Sequence, residues 1–232
     1  MTERKRENPD IILTGDGSNT LFVSGLNEHY HSTGGAIRES RHIYINSGFK
    51  KAASLANSIH IFEVGFGTGL NALLTWAEAE KTKKPVFYTS IEAFPLNKEI
   101  WSVLNYPGQL NIPGSVDIFR ILHESSWGNI ESVSPYFTLH KIHEKMEDFI
   151  PPSSVYHCIY FDAFSPDVEQ SLWSELIFRR IYNSMAPGAA LVTFSVKGRV
   201  VRTLKEIGFG IEKLTGPPGK RHILRATKKI LP

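Results

Sequence analysis

From residue 59 onward the chain switches repeatedly between two kinds of apolar spacing. IHIFEV (59–64), VFYTSIEA (86–93), YFTLHKIH (136–143), VYHCIYFD (155–162) and ALVTFS (190–195) are short runs rich in β-branched and aromatic residues, as buried strands are. Between them, LNALLTWAEAEK, DVEQSLWSELIFRRIYNSM and GRVVRTLKEIG repeat apolar residues at helical intervals, with Leu172, Leu176, Ile177 and Ile181 on one side of the second. A further helix is expected from near Pro95, because proline is tolerated in a first turn. Short helices are expected over 118–124, within an otherwise irregular insertion at 105–135, and over EKMEDFI, stopped by Pro151 and Pro152. The pattern closes with two strands, FGIEKLTG and HILRATK, joined by a PPGK turn.

Strands separated by helices pair in parallel with helices on both faces, whereas two strands across a tight joint pair antiparallel. The pattern therefore predicts an α/β fold, a mostly parallel sheet with an antiparallel C-terminal element. Ahead of it, residues 1–10 are charged and without apolar periodicity, so no order is expected there. The segment from Ile11 to Phe49 mixes short apolar runs with glycine and polar turns, which predicts two or three short strands and a loop. It has too few apolar residues for a core of its own, so 1–57 is expected as an extension forming one unit with a main domain over 58–232.

A chain of 232 residues with 41% hydrophobic content has enough material for one substantial core. The single cysteine, Cys158, excludes a disulfide framework within the chain and sits in an apolar run as an inert thiol would. No apolar run reaches membrane-spanning length and the polar start MTERKRENPD lacks a signal-peptide core, so a cytoplasmic protein is expected. The net charge is only +3, yet beyond Ser195 lysine and arginine far outnumber Glu206 and Glu212. That asymmetry suits an anionic partner such as nucleic acid, or simply a solvated surface.

Chemistry concentrates where strands stop. EVGFGTG carries Glu63, Gly65, Gly67 and Gly69 at a strand–helix joint, where glycine admits positive φ and close ligand approach and the following helix offers free amides. It lacks the GK[ST] ending of a phosphate loop. Glu92 ends the next strand, where an acid accepts hydrogen bonds from ribose hydroxyls. Together they indicate an adenosine cofactor. Asn71 either meets that cofactor or ties down the turn; Glu144 either meets the adenine or caps a following helix. YFDAFSP sets Asp162 at the end of a fourth strand, with Phe161 expected in the core and Phe164 facing either core or ligand.

FEVGFGTGLN, IEAFPL, FDAFSP and the upstream EHYHSTGGAIRESRHIYI resemble the methyltransferase domain of the MnmC family, from about Thr14 to about Thr227. The resemblance implies a Rossmann-like class I fold with a seven-stranded sheet and S-adenosyl-L-methionine as cofactor. It implies methylation of the primary amine of 5-aminomethyl(-2-thio)uridine in a tRNA anticodon loop. The chain stops at Pro232 just past the last methyltransferase strand, so a stand-alone form without the fused oxidase is expected, its substrate supplied by separate upstream enzymes.

Carried over by position, Gly65, Gly67, Gly69, Asn71, Glu92 and Glu144 match cofactor residues, and Asp162 matches the acid of the family's DGFAP-like motif, with Ala163 and Ser165 replacing its glycine and alanine. Asp162 is the expected catalytic residue, orienting a neutral amine, and a cofactor neighbour. Tyr30, His31, Ser32, Glu39 and Phe164 are expected at cofactor or uridine, and Lys197, Arg199, Lys220 and Arg221 at RNA phosphates. His29, His31 and His42 assemble no recognised metal spacing, and methyl transfer needs no metal. The competing readings are a methyltransferase of a small-molecule amine and an inactive RNA-binding scaffold; a dehydrogenase fits less well, for want of a second domain and the usual pyrophosphate fingerprint.

Overall fold

Alternate residues of a strand face opposite sides of a sheet, and the central strands of this chain are apolar on both. The computed structural model describes residues 9–230. In it Ile59 and Ile61 of β4 (Ile59–Val64) enter one core while Phe62 and Val64 enter another. The same division holds in β8 (Tyr156–Phe161), where Cys158 and Tyr160 face the first core and Ile159 and Phe161 the second. One sheet is thereby covered on both faces.

Around these strands lie β5 (Val86–Glu92), β6 (Ile130–Ser134), β7 (Phe137–His143), β9 (Met185–Thr193), β10 (Gly210–Thr215) and β11 (His222–Thr227), in the order β10-β11-β9-β8-β4-β5-β7-β6. The five strands from β9 to β7 pair in parallel, and both edges are antiparallel. The sheet has eight strands rather than seven, because part of the expected insertion forms β6 and pairs with β7. Since β4 has β5 on one side and β8 on the other, the strand order reverses beside β4. A crevice opens at the carboxyl ends of such a reversal.

The first core is closed by α3 (Leu70–Thr82) and by the N-terminal region. There, β1 (Asp10–Leu13), β2 (Asn19–Val23) and β3 (Glu28–His29) form a small antiparallel sheet, as expected. Of the expected disorder over 1–10, residues 1–8 lie outside the described residues, and Asp10 already belongs to β1. Beyond β3 the structure departs from expectation. Residues 36–55 follow one helical path: α1 (Ala36–Ser40), a π-helical stretch over Arg41–Phe49, and α2 (Lys50–Leu55). RHIYI is strand-like by composition, yet Ile43, Tyr44 and Phe49 are buried against the main sheet, which overrides the local preference. Gly48 allows the approach, for a Cβ there would lie 2.9 Å from Val192 Cγ2 and 3.0 Å from Cys158 Sγ.

Other helices differ in extent. Pro95 precedes its helix; α4 (Lys98–Trp101) starts after Asn97, whose Oδ1 accepts the Ile100 N–H at 3.1 Å. The 105–135 region holds α5 (Tyr106–Leu110) and α6 (Ser115–Glu124), a longer helix than expected. EKMEDFI is a turn, not a helix. Pro151 and Pro152 have no N–H to return to the carbonyls of Glu147 and Asp148; the Arg180 guanidinium instead takes those of Glu147 and Phe149 at 2.6 and 3.2 Å. On the second face, α7 (Glu175–Ser184) begins eight residues later than its pattern suggested, and Leu176 is 59% exposed, off the buried side. It packs with α8 (Gly198–Ile207).

Candidate active site

The crevice is assembled by backbone. At the end of β4 the chain must turn sharply past the end of β8, and Gly65 takes φ +94° with Asp162 O only 2.8 Å from where its Cβ would stand. Gly65 N donates to Ile91 O at 2.9 Å and Asp162 N to Val64 O at 3.1 Å, so the ends of β5, β4 and β8 are stitched together. Gly67 and Gly69 also hold positive φ as the turn runs into α3. Beneath the turn, His123 of α6 approaches Thr68 O at 3.2 Å and stacks on Trp101 at 4.7 Å and 6°. Burial pushes its imidazole down to about 3, so it stays neutral. Sequence reasoning missed this support, since nothing in the pattern links 123 to 68.

Glu92 fastens the same turn from β5. One carboxylate oxygen accepts Gly67 N–H at 3.0 Å and the other Phe94 N–H at 2.8 Å. Each oxygen keeps a second lone pair, so acceptance from a ligand hydroxyl is still open to it. Glu144 is exposed and lines the same cavity; with no helix after it, the capping alternative has lost its object.

Asp162 is the most constrained group in the site. Its two oxygens accept from Tyr44 Oη at 2.6 Å and from Asn71 Nδ2 at 2.7 Å. Burial raises its pKa, while the nearby His31 and these two donors pull the other way. Tyr44 was missed in the sequence because it lies in the strand-like RHIYI; the π-helical stretch carries its hydroxyl to the sheet edge. Asn71 thus bonds a catalytic candidate. Behind it Glu63 is completely buried and absent from the cavity wall, with Ser90 Oγ donating to it at 2.7 Å. Direct cofactor contact does not fit that position. Burial pushes the Glu63 carboxyl up to about 8.

The cavity continues past Asp162 into a second one bounded by Tyr30, His31, Ser32, Glu39, Phe194 and Lys220, and Asp162 lines both. His31 Nε2 lies 2.9 Å from Thr68 Oγ1, and burial lowers its pKa. Tyr30 meets Phe164 edge-on at 5.0 Å, on the cavity wall, whereas Phe161 is wholly in the core. Ser32 N–H donates to Glu39 at 2.6 Å. The basic candidates divide. Lys197 and Arg199 both pair with Asp167, and Arg199 also reaches Pro166 O, so they brace the segment after Asp162. Lys220 turns inward to Glu39 at 2.5 Å, and Arg221 is exposed. His42 bonds Thr215 O at 2.7 Å rather than joining His29 and His31.

An adenosine-bearing sulfonium amino acid fits these residues. The glycine turn gives a backbone surface without β-carbons, Glu92 and Glu144 give acceptors on one side, and Asn71 and Asp162 a polar end on the other. Phe94, Met146 and Leu172 supply apolar wall between them.

Comparison with known proteins agrees. Residues 130–229 match a family described as S-adenosyl-L-methionine-dependent methyltransferase. The chain is 28% identical over 240 residues to the tRNA 5-methylaminomethyl-2-thiouridine biosynthesis bifunctional protein MnmC of Cupriavidus necator, covering 94% of this chain and 34% of that protein. It thus spans about a third of the length of the curated relatives it matches. In fold it is similar to MNMC2 from Aquifex aeolicus, with TM-score 0.78 and 24% identity over 97% of this chain and 72% of that one. Spermidine synthase from Thermotoga maritima is a more distant fold neighbour, with TM-score 0.59 and 10% identity over 96% of this chain and 70% of the other. With glycine turn, strand-end acids and sheet order all in place, the chain is similar to S-adenosyl-L-methionine-dependent methyltransferases, and its cavity fits S-adenosyl-L-methionine.

Proposed function

We propose that this protein is an S-adenosyl-L-methionine-dependent methyltransferase acting on the primary amine of a 5-aminomethyl(-2-thio)uridine at the wobble position of tRNA, giving the 5-methylaminomethyl nucleoside. The observation that carries the reading is Asp162, a carboxylate fixed by two donors at the junction of the cofactor cavity with a second cavity. Likeness to MnmC over nearly the whole chain supports the choice of acceptor. RNA as the partner also fits the exposed cations Arg202, Lys205, Lys213 and Arg221. A tRNA substrate would place the protein's work in the cytoplasm.

When bound, S-adenosyl-L-methionine supplies an electrophilic methyl group. Glu92 and Glu144 would hold its ribose and adenine sides, and the backbone of the glycine turn would lie against its amino-acid part. Asp162 then does two things for an incoming amine. It accepts an N–H, which aims the nitrogen lone pair in line, and its charge stabilises the positive charge that grows on nitrogen as the new bond forms. It is a poor proton acceptor for an alkylammonium, because an ordinary carboxylate is far more acidic. Tyr44 and Asn71 keep the carboxylate from rotating, so the accepting lone pair stays in position. Phe164 and Tyr30 make an aromatic wall on which a pyrimidine turned out of an anticodon loop can stack.

The test is incubation with labelled S-adenosyl-L-methionine and tRNA lacking only the final methyl group, followed by nucleoside mass analysis. Label in 5-methylaminomethyl(-2-thio)uridine is expected. Label absent from tRNA but present in free aminomethyluridine would move the acceptor to the small-molecule class.

A further inference from the structure

The second cavity already contains an ammonium. Lys220, on the turn between β10 and β11, places Nζ 2.5 Å from the Glu39 carboxylate and 4.6 Å over the Phe194 ring. Glu39 is only 6% exposed, and its other oxygen is held by the Ser32 N–H at 2.6 Å, independently of the lysine. A fixed carboxylate beside an aromatic face is a receptor for organic ammonium ions. The cavity it faces is bounded also by Tyr30, Tyr44 and Asp162, so the receptor opens onto the carboxylate assigned to the reacting amine. The Lys220 side chain is 32% exposed on a flexible stem, so it can leave for solvent when another cation takes its place.

We propose that Glu39 and Phe194 form the seat in which the acceptor's primary ammonium first docks, before it loses a proton to solvent and passes as the neutral amine to Asp162, and that Lys220 occupies this seat as an internal competitor until the substrate displaces it. The identity of the acceptor rests on the function proposed above; the seat itself does not. Exchange of one ammonium for another leaves no buried carboxylate unpaired, which is what makes entry of a charged amine cheap. A neutral substituent of the same shape has no charge with which to dislodge the lysine, so the seat discriminates an aminomethyl from a hydroxymethyl group. The displaced Lys220 moves toward solvent beside Arg221, where a polyanion can take it up.

Calorimetric titration in the presence of S-adenosylhomocysteine tests this with two ammonium probes, 5-aminomethyluridine and n-butylammonium, and two neutral controls, 5-hydroxymethyluridine and n-butanol. Removing the competitor in Lys220→Met is expected to tighten both ammonium probes about tenfold while leaving the neutral ones unchanged, since affinity scales with the fraction of open seats. Glu39→Gln is expected to abolish the preference for charged over neutral probes. If Lys220→Met does not fold, Lys220→Arg reads the same equilibrium with the opposite sign, because a guanidinium grips the carboxylate more firmly and weakens ammonium binding. Unchanged or weaker ammonium binding in Lys220→Met, or unchanged binding in Lys220→Arg where that variant is the one read, overturns the seat even if tRNA is methylated. Tightened binding without tRNA methylation leaves the seat standing and overturns the acceptor.

Discussion

In the proposed reaction Asp162 acts through being held still. Tyr44→Phe removes one of its two donors without changing the packing of the ring against Tyr160 at 5.1 Å. A drop of about tenfold in the single-turnover rate is expected, with tRNA affinity unchanged; Asp162→Asn should cost at least about a hundredfold. Equal rates for wild type and Asp162→Asn would remove the residue from the chemistry. Glu63 makes a pH-dependent contribution. Its carboxyl is raised to about 8 in the folded protein, so between the ordinary carboxylate range and about 8 the native state keeps a proton that the unfolded chain releases. The associated stability is complete at low pH and is lost as pH rises through that window, by an amount on the order of a few kcal/mol. Thermal unfolding from about pH 5 to about pH 9 should therefore show a steeper fall for wild type than for Glu63→Gln. Parallel curves would count against a protonated Glu63. Asp162 was legible from the sequence because a lone acid at a strand end has few uses. Tyr44 was not, because its partner lies 118 positions away and its own neighbourhood imitates a strand.

At the scale of elements, the strands of the main sheet other than β6 were legible and helix ends were not, for one reason. A strand flanked by both cores needs only apolar residues in sequence, whereas a helix boundary depends on who receives the last carbonyls. EKMEDFI lost its helix to two prolines and to Arg180, and the residues before α7 were drawn into turns around Trp173, whose Nε1 donates to Phe164 O at 2.8 Å. The π-helical stretch depends on close contact with the sheet at Gly48. Gly48→Ala forces a methyl to within 2.9 Å of Val192 and should destabilise the protein by about 1–3 kcal/mol, read from denaturant midpoints. Because that stretch carries Tyr44, the same change should lower activity more than a remote substitution of equal cost. A neutral result would mean that the helix floats rather than packs.

For the whole molecule, the α/β class and the antiparallel finish followed from the alternation of elements, but the strand order did not, since it is fixed by pairings between distant segments. The order matters most, because the reversal beside β4 is what brings Gly65, Glu92 and Asp162 to one edge. Surface charge is likewise a property of the folded whole. Of the basic residues proposed for RNA, Lys197, Arg199 and Lys220 are paired within the protein, and Arg221 is exposed. Arg221→Ala should weaken tRNA binding at low salt and flatten its salt dependence by about one ion, as measured by filter binding. Identical salt curves would place the RNA elsewhere.

The stitched ends of β5, β4 and β8 have a further consequence for how this protein can change. Everything assigned to the methyl donor lies on that backbone seam, on the turn and loops that leave it, and on the loop after β7, with Glu92 and Asn71 as side-chain fastenings. Most of the wall facing the acceptor comes from two other stretches of chain, 28–44 and 215–221, which meet each other at Gly34 and Pro218, at His42 and Thr215, and at Glu39 and Lys220. Donor and acceptor halves are thus modular, joined at Asp162. New substrate preferences can be grafted by exchanging those two stretches as a matched pair, whereas exchanging either alone would leave its counterpart without a mate.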